Sequence, residues 1–348
     1  RLQLGRSMRS SVLYLVFNFG ASVLIIFVNK SLFSGGLRFE FTCALTVMHY
    51  VVNLLGLELL RLCGAYEARA SPLTLRLLAL SAVVGFAPGL NNVSLKYNGL
   101  GFYQVVKLLV TPLIAGAEWS CYGHTLSAAR ALALTAVCLG VGVAVVSDVT
   151  INAAGAAASA AWLPVAAAYK VLWSRVAKEE GWNTLALMRR VLPLATLFMA
   201  CLVPLVDPPG LTSYEYTPRA CSVLALSGMA AFFVNWSGFL VLGACSALTH
   251  TVLGQLKSVA VVLGGWLLFA QLYPPKAVAG AAVALCAMVW YTQANLAEQK
   301  RSAGASAAAA VTALATPGSS PSSSTVSLEE GEVLLQSHHR RGGQGAGS

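Results

Sequence analysis

The chain has 348 residues, 57% of them hydrophobic and 10% charged. A soluble domain carries about 25% charged residues, so this composition excludes a water-soluble globular protein and points to a chain whose solvent is largely lipid. The 23 Lys and Arg outweigh 13 Asp and Glu for a net charge of +10, and in a membrane protein such an excess reports loop topology before nucleic acid.

A spanning helix needs about 20 mostly apolar residues. Ten such stretches follow in chain order, at about 11–33, 40–62, 75–95, 100–121, 129–147, 152–174, 184–206, 220–243, 246–270 and 275–295. Leu, Val and Ala fill them on all faces. The connecting loops are short. The longest, from Asp207 to Pro218, carries the helix breakers Pro208, Pro209 and Gly210. From about Glu298 onward Ala, Ser, Gly, Thr and Pro dominate, followed by Glu329, Glu330 and Glu332 and by His338, His339, Arg340 and Arg341. Such a segment cannot bury enough apolar surface to offset its ordering entropy and is expected to be disordered. The expected organisation is an N-terminal segment 1–10, a first five-helix repeat 11–147, a second repeat 152–295 and a tail 298–348. The chain opens on Arg1, as a trimmed start would, which leaves any targeting peptide out of view.

With ten spans both termini lie on one side. That side collects thirteen Lys and Arg even without the distant Arg340 and Arg341; the other side holds only Arg38, Lys96, Arg219 and Lys276. Both termini are therefore expected in the cytosol. The positive charge is a topology signal, and no nucleic-acid partner is expected. The eight cysteines are spread singly, without a C-x-x-C. They read as small reduced hydrophobes, so neither a disulfide framework nor a metal site is expected.

Ten spans divide into two sets of five, and an odd-numbered unit inserts its second copy inverted. Inverted repeats of this kind place a substrate site near the midplane of secondary transporters. The fourth span of each half carries one lysine, Lys107 in Gly101-Phe-Tyr-Gln-Val-Val-Lys107 and Lys257 in Leu248-Thr-His-Thr-Val-Leu-Gly-Gln-Leu-Lys257. A charge near the bilayer centre costs about 2.5–3.5 kcal/mol on insertion scales. Two more lysines fall within spans. Lys170, near the end of the sixth with Arg175 following, reads best as a snorkelling side chain. Lys30, directly after Asn29, reads equally as snorkelling or as a site residue. Lys107 and Lys257 lie deeper and read as functional. No Asp or Glu lies at mid-depth to pair with Lys257, so a water-filled cavity that receives an anion is the simplest compensation. Lysine is a compact point charge suited to phosphate. Tyr103 and Thr111 share the Lys107 face, and His250, Gly254 and Ser258 can line the region of Lys257. His49, alone among apolar neighbours, reads as an interhelical hydrogen bond. Pro88 and Pro112 free backbone carbonyls. Asn29-Lys-Ser, Asn92-Val-Ser and Asn235-Trp-Ser match the glycosylation pattern but fall in or beside spans and read as accidental.

On Asn29-Lys30, Leu90-Asn-Asn-Val-Ser-Leu, the Lys107 segment, Val234-Asn-Trp-Ser-Gly-Phe-Leu-Val and the Lys257 segment, the chain resembles the nucleotide-sugar and triose-phosphate translocator family of the drug/metabolite transporter superfamily. The resemblance covers about residues 10–295 and is greatest to the plant-type Golgi carriers of UDP-xylose, UDP-rhamnose and UDP-galactose. It implies an all-α membrane protein of ten transmembrane helices in two inverted five-helix repeats, the drug/metabolite transporter fold. It implies a Golgi antiporter, with the endoplasmic reticulum and the plastid envelope as other locations, that exchanges a cytosolic nucleotide sugar for a lumenal nucleoside monophosphate. By this resemblance Lys107 and Lys257 hold phosphate, with Tyr103, Gln104, Asn235 and Gln255 as neighbours; Lys30 and Ser258 complete the candidate set. The plastid phosphate translocators are the nearest alternative. Their pattern has an Arg directly after the ninth-span lysine, where this chain has Ser258, and a His where it has Pro88.

Such an exchanger needs no cofactor, metal or nucleotide hydrolysis; its partners are its two substrates and the bilayer, and a homodimer stays open. A membrane-embedded transferase would gather acids, bases or metal ligands at one site, and the sequence shows no paired loop carboxylates and no phosphate-binding loop. A non-transporting scaffold leaves the two deep lysines unexplained.

Overall fold

A computed structural model describes residues 2–34, 36–123, 125–147, 153–244 and 247–315. The described chain is helical: α1 (Leu2–Ser34), α2 (Thr42–Leu62), α3 (Leu75–Tyr97), α4 (Leu100–Val106), α5 (Val110–Tyr122), α6 (Ala128–Val146), α7 (Ala153–Glu179), α8 (Thr184–Val206), α9 (Pro218–Ala244), α10 (Ala247–Phe269) and α11 (Pro275–Ala315), with 3₁₀ turns at Lys107–Leu109 and Leu211–Ser213. Residues 1–298 form one compact unit and residues 299–348 a second. Among the described residues eight helical segments are long and apolar enough to cross a membrane. The sequence led us to expect ten. By this measure α7 drops out, because Ser159, Trp162, Pro164, Tyr169 and Lys170 interrupt its alanines, and α10 is counted only over Leu256–Phe269, the stretch of it whose side chains are all described.

The expected disordered tail needs one correction. The part of it that is described, as far as Ala315, is helix. Alanine is the strongest helix former, and residues 303–315 are rich in it. Residues 316–348, with the two His, lie outside the described residues.

Local chemistry fixes the helix ends. Thr74 and Ser127 cap α3 and α6 by accepting from Leu77 N and Arg130 N, and Asn183 caps α8 through Leu185 N. The α2 N-terminus borrows its cap from elsewhere in the chain. The Asp207 carboxylate, at the end of α8, accepts from Cys43 N (2.9 Å), Ala44 N (2.8 Å) and Thr42 Oγ1 (3.3 Å). A negative charge there also complements the helix dipole.

Two prolines shape the bundle. Pro88 inside α3 has no N–H for the carbonyl four residues back, that of Val84. Tyr50 of α2 supplies the missing donor. Its hydroxyl bonds Val84 O at 2.5 Å and Gly85 O at 3.1 Å. Pro112 acts on the expected fourth span, which breaks into α4 and α5. The pyrrolidine ring crowds the carbonyl of Leu108, and the helix tightens to 3₁₀ geometry over Lys107–Leu109. The break falls on the lysine.

Packing follows the small residues. A Cβ on Gly140 of α6 would lie 2.6 Å from Ala284 N, and one on Gly280 of α11 would lie 2.5 Å from Ala144 N. Only glycine lets these backbones approach so closely. Elsewhere α1 packs on α9 and α10, α2 on α8 and α9, α3 on α7 and α8, α5 on α7, and α4 on α10. At one end of the bundle Glu58 pairs with Arg61 (2.7 Å) and Arg189 (2.5 Å), and Arg76 pairs with Glu179 (2.7 Å). At the other, Leu32, Phe39, Phe41, Leu95, Leu100 and Leu224 form a closed apolar cluster drawn from four helices and a loop.

Tyr50→Phe should lower unfolding free energy by about 1–3 kcal/mol, the cost of leaving a buried carbonyl without a donor. Pro88→Ala returns an N–H to that carbonyl, so Tyr50→Phe should cost much less in that background. Denaturant unfolding of the four proteins in detergent micelles checks the cycle; equal costs in both backgrounds would contradict it.

Candidate functional site

The four lysines within apolar helices meet different fates. Lys30 is buried, 6% exposed. Its Nζ donates to the carbonyls of Leu95 (3.0 Å), Lys96 (3.4 Å) and Asn98 (2.6 Å). These carbonyls lie at the C-terminal end of α3, where acceptors lack intrahelical donors and the dipole is negative. Lys30 closes a helix end.

Lys107 sits in the 3₁₀ turn between α4 and α5. Leu100 to Val106 and Leu108 are all buried, yet Lys107 is exposed. Exposure amid buried neighbours means that solvent reaches the lysine inside the bundle. Its Nζ lies 5.8 Å from the Tyr103 ring centre, within cation–π range. Tyr103 is itself buried. Its hydroxyl donates to Asn91 Oδ1 at 2.9 Å, and its ring lies 6.2 Å from that of Trp162 on α7.

Lys257 of α10 is half-buried. Its Nζ donates to Asn18 Oδ1 of α1, and Asn18 Nδ2 donates in turn to Ser237 Oγ (2.8 Å) and Val234 O (3.4 Å) of α9. An amide orients the ammonium without neutralising it. Lys107 lies within electrostatic reach of both Lys257 and Lys170, so like charges gather here, and no ion pair among the described residues engages them. The ion pairs among the described residues engage arginines and Lys96 instead.

A seam of uncharged polar groups runs beside the lysines. Ser227 Oγ donates to Asn29 Oδ1 (2.5 Å), Asn29 Nδ2 to Asn92 Oδ1 (3.3 Å) and Asn92 Nδ2 to Thr46 Oγ1 (3.0 Å). His49 Nε2 lies 2.8 Å from Ser227 Oγ. Because that hydroxyl spends its proton on Asn29, His49 Nε2 is the donor. His49 is thus the interhelical hydrogen bond expected of it. Asn235 Nδ2 donates to Asn53 Oδ1 at 2.8 Å, while Asn235 stays exposed on α9. The three asparagines that match the glycosylation pattern are therefore all taken up by interhelical bonds.

Gln104 and Ser258 meet each other. Ser258 Oγ donates to Gln104 Oε1 at 3.2 Å. Both line a cavity of about 230 Å³ between α4, α6, α10 and α11 whose other walls are Val105, Leu108, Val145, Val259 and similar apolar groups. On a helix of about 100° per residue Gln104 lies about 60° from Lys107 and Ser258 about 100° from Lys257, so this bonded pair sits at the edge of the lysine face. The side chains of Gln255 and His250 lie outside the described residues.

Asn18, Asn91 and Trp162 join the site without having been singled out as site residues. Asn18 had a signal: a lone amide in Phe17-Asn18-Phe19 is costly in an apolar span unless bonded. Lys170 was read as snorkelling. On a helix of about 3.6 residues per turn, Lys170 falls between Ala166 and Ala167, both buried against α5. Its face is the bundle interior. Chemically the arrangement offers fixed positive charge, an aromatic face and amides, the means to hold a phosphorylated ligand. Among the described residues no cluster of His, Cys, Asp and Glu could hold a metal ion.

Lys30→Met should lower thermal stability in detergent sharply, because three acceptors lose their donor. Lys257→Met should leave it unchanged or raise it, because that charge has no ionic partner to lose. Melting temperatures of the two variants check this contrast; a larger loss in Lys257→Met would reverse the assignment.

The profile of the Triose-phosphate Transporter family matches residues 10–292. A protein of Arabidopsis thaliana called nucleotide-sugar uncharacterized transporter 1 is 39% identical over 298 residues, covering 85% of this chain and 76% of its own. The Arabidopsis UDP-rhamnose/UDP-galactose transporter 1 is 30% identical, covering 81% of this chain and 83% of its own. The Arabidopsis UDP-xylose transporter 1 is 28% identical, covering 82% and 85%. One solved crystal structure shares the fold with a TM-score of 0.52 at 16% identity, covering 80% of this chain and 96% of that one.

Proposed function

The chain belongs to the Triose-phosphate Transporter family, whose members are multi-pass membrane transporters and not enzymes, and on that premise we propose that it exchanges a cytosolic UDP-sugar for a lumenal nucleoside monophosphate by alternating access. The observation that carries this reading is the pair Lys107 and Lys257, one on each side of the α4–α10 packing, within electrostatic reach and without a carboxylate. Each deep ammonium costs a few kcal/mol unless compensated. An anion that touches both compensates both. Tyr103 supplies a ring face, and Asn235 stands ready to bond a base or sugar. The substrate class draws on the relatives named for UDP-rhamnose, UDP-galactose and UDP-xylose.

The same charges favour exchange over one-way flow. With the site empty, Lys107 and Lys257 repel one another, and closing the bundle around them strengthens that repulsion by removing water. A bound anion removes the penalty and selects the closed state. A nucleoside monophosphate carries the phosphate needed to do so on the return.

The helix packing supports two five-helix halves, with α4 and α5 counted as one span. Exchanging the halves turns α1 on α9 into α7 on α3, α2 on α9 into α8 on α3, and α1 on α10 into α7 on α5; α2 on α8 and α4 on α10 map onto themselves. Every one of these contacts is present. On this reading the ten helices form inverted repeats with the lysines near the axis that relates them. The arginine-rich end faces the cytosol with both termini, and the protein works in the Golgi membrane. Ser258 and Pro88 stand where the sugar-phosphate carriers resembled by the chain have Arg and His, which favours the nucleotide sugar over a triose phosphate.

Counterflow in reconstituted vesicles tests the function. With UMP inside, uptake of a UDP-sugar is expected, and vesicles loaded with inorganic phosphate should take up no triose phosphate. The reverse pattern would overturn the proposal.

A further inference from the structure

Lys170 is a charged residue that the exchange mechanism so far leaves without a task. It is exposed, although the residues on either side of it around the helix, Ala166 and Ala167, are buried against Val110 and Ile114 of α5. The lipid-side positions of α7 are on the other face, where Ala157, Ala161 and Pro164 are exposed. Lys170 therefore meets solvent inside the bundle. Trp162, Ala166 and Lys170 lie on successive turns of one face, and Trp162 packs beside Tyr103, the residue under Lys107. A helical side chain leans toward its own N-terminus, so Lys170 leans along α7 back toward Trp162. Among the described residues no hydrogen bond or ion pair engages its ammonium, and Lys107 lies within its electrostatic reach. Lys107 thus lies within electrostatic reach of two other lysines, Lys257 and Lys170.

A single phosphate needs only one such gap between cations. We infer that Lys170 is a third substrate-binding lysine: Lys107 and Lys257 grip one phosphate, and Lys107 and Lys170 grip the second phosphate of a nucleoside diphosphate group. This rests on the nucleotide-exchange reading and sharpens it. The protein would distinguish the incoming diphosphate-linked sugar from the outgoing monophosphate by the number of phosphates, independently of the sugar. Removing a charge-assisted hydrogen bond from the second phosphate should weaken diphosphate binding selectively.

The test needs no knowledge of the sugar. Vesicles loaded with UMP exchange it for external labelled UMP, and UDP competes. In Lys170→Gln the half-inhibitory concentration of UDP should rise about tenfold, the effect of removing one charge-assisted hydrogen bond, while the KM for UMP changes by less than about twofold. Lys170→Arg should restore UDP competition, and Lys170→Met serves as the neutral variant should the glutamine protein fail to fold. A lysine that only snorkels or packs would move UDP and UMP together or not at all, and either result overturns the inference. Wild-type protein that exchanges no UMP would instead overturn the nucleotide reading beneath it, and the two failures are told apart by that one control.

Discussion

An ammonium group inside a bundle of apolar helices must be hydrogen-bonded, paired or wetted, and much of this structure is arranged by which of the three each cation receives. Lys30 takes the first route, with three carbonyls at the end of α3. The arginines at the other end of the bundle take the second, around Glu58 and Glu179. Among the described residues Lys107 and Lys257 have neither carboxylates nor a full set of acceptors. Charge left in this condition destabilises a protein that has no further use for it. It becomes an asset when the missing partner is a ligand.

The surrounding fold serves that condition. Pro112 breaks the span at Lys107 and Tyr103 sits one turn earlier beneath it. Asn18 aims Lys257 from a third helix while leaving its charge intact. The seam from Asn29 through Ser227 to His49 joins α1, α2, α3 and α9 with uncharged groups whose bonds close on one another. That seam holds helices of both proposed halves in register, and it adds no negative charge that would satisfy the lysines. Glycine at positions 140 and 280 fastens α6 to α11 at the periphery. Rigid peripheral contacts and an uncompensated centre are what a substrate-driven rearrangement requires.

Much of this was legible in the sequence. Helix positions followed from apolar run lengths, because in lipid every backbone group must be bonded within the segment. The two deep lysines stood out because charge is rare there. The break at Lys107 was half-legible: Pro112 announced a disturbed carbonyl but not the turn at which it would fall. Other features were not legible. Lys30 read equally as snorkelling or as a site residue, because the end of α3 that arrives beside it was not visible in the sequence. Lys170 looked like a terminal, snorkelling residue because depth along a helix was visible and its facing partner was not. Gln104 and Ser258 were legible as neighbours of the lysines in sequence, but their bond to one another across α4 and α10 was not. The alanine-rich stretch after Glu298 was read by composition as disordered, whereas helix propensity governs it as far as Ala315.

Ligand-dependent unfolding of purified protein addresses the central claim most directly. A ligand that binds only the folded state stabilises it by mass action, about 2.7 kcal/mol at a hundred times its Kd. UMP should therefore raise the melting temperature of the wild-type protein and fail to do so in Lys107→Met and in Lys257→Met, while both variants remain folded without it. An undiminished rise in either variant would show that the phosphate is held elsewhere.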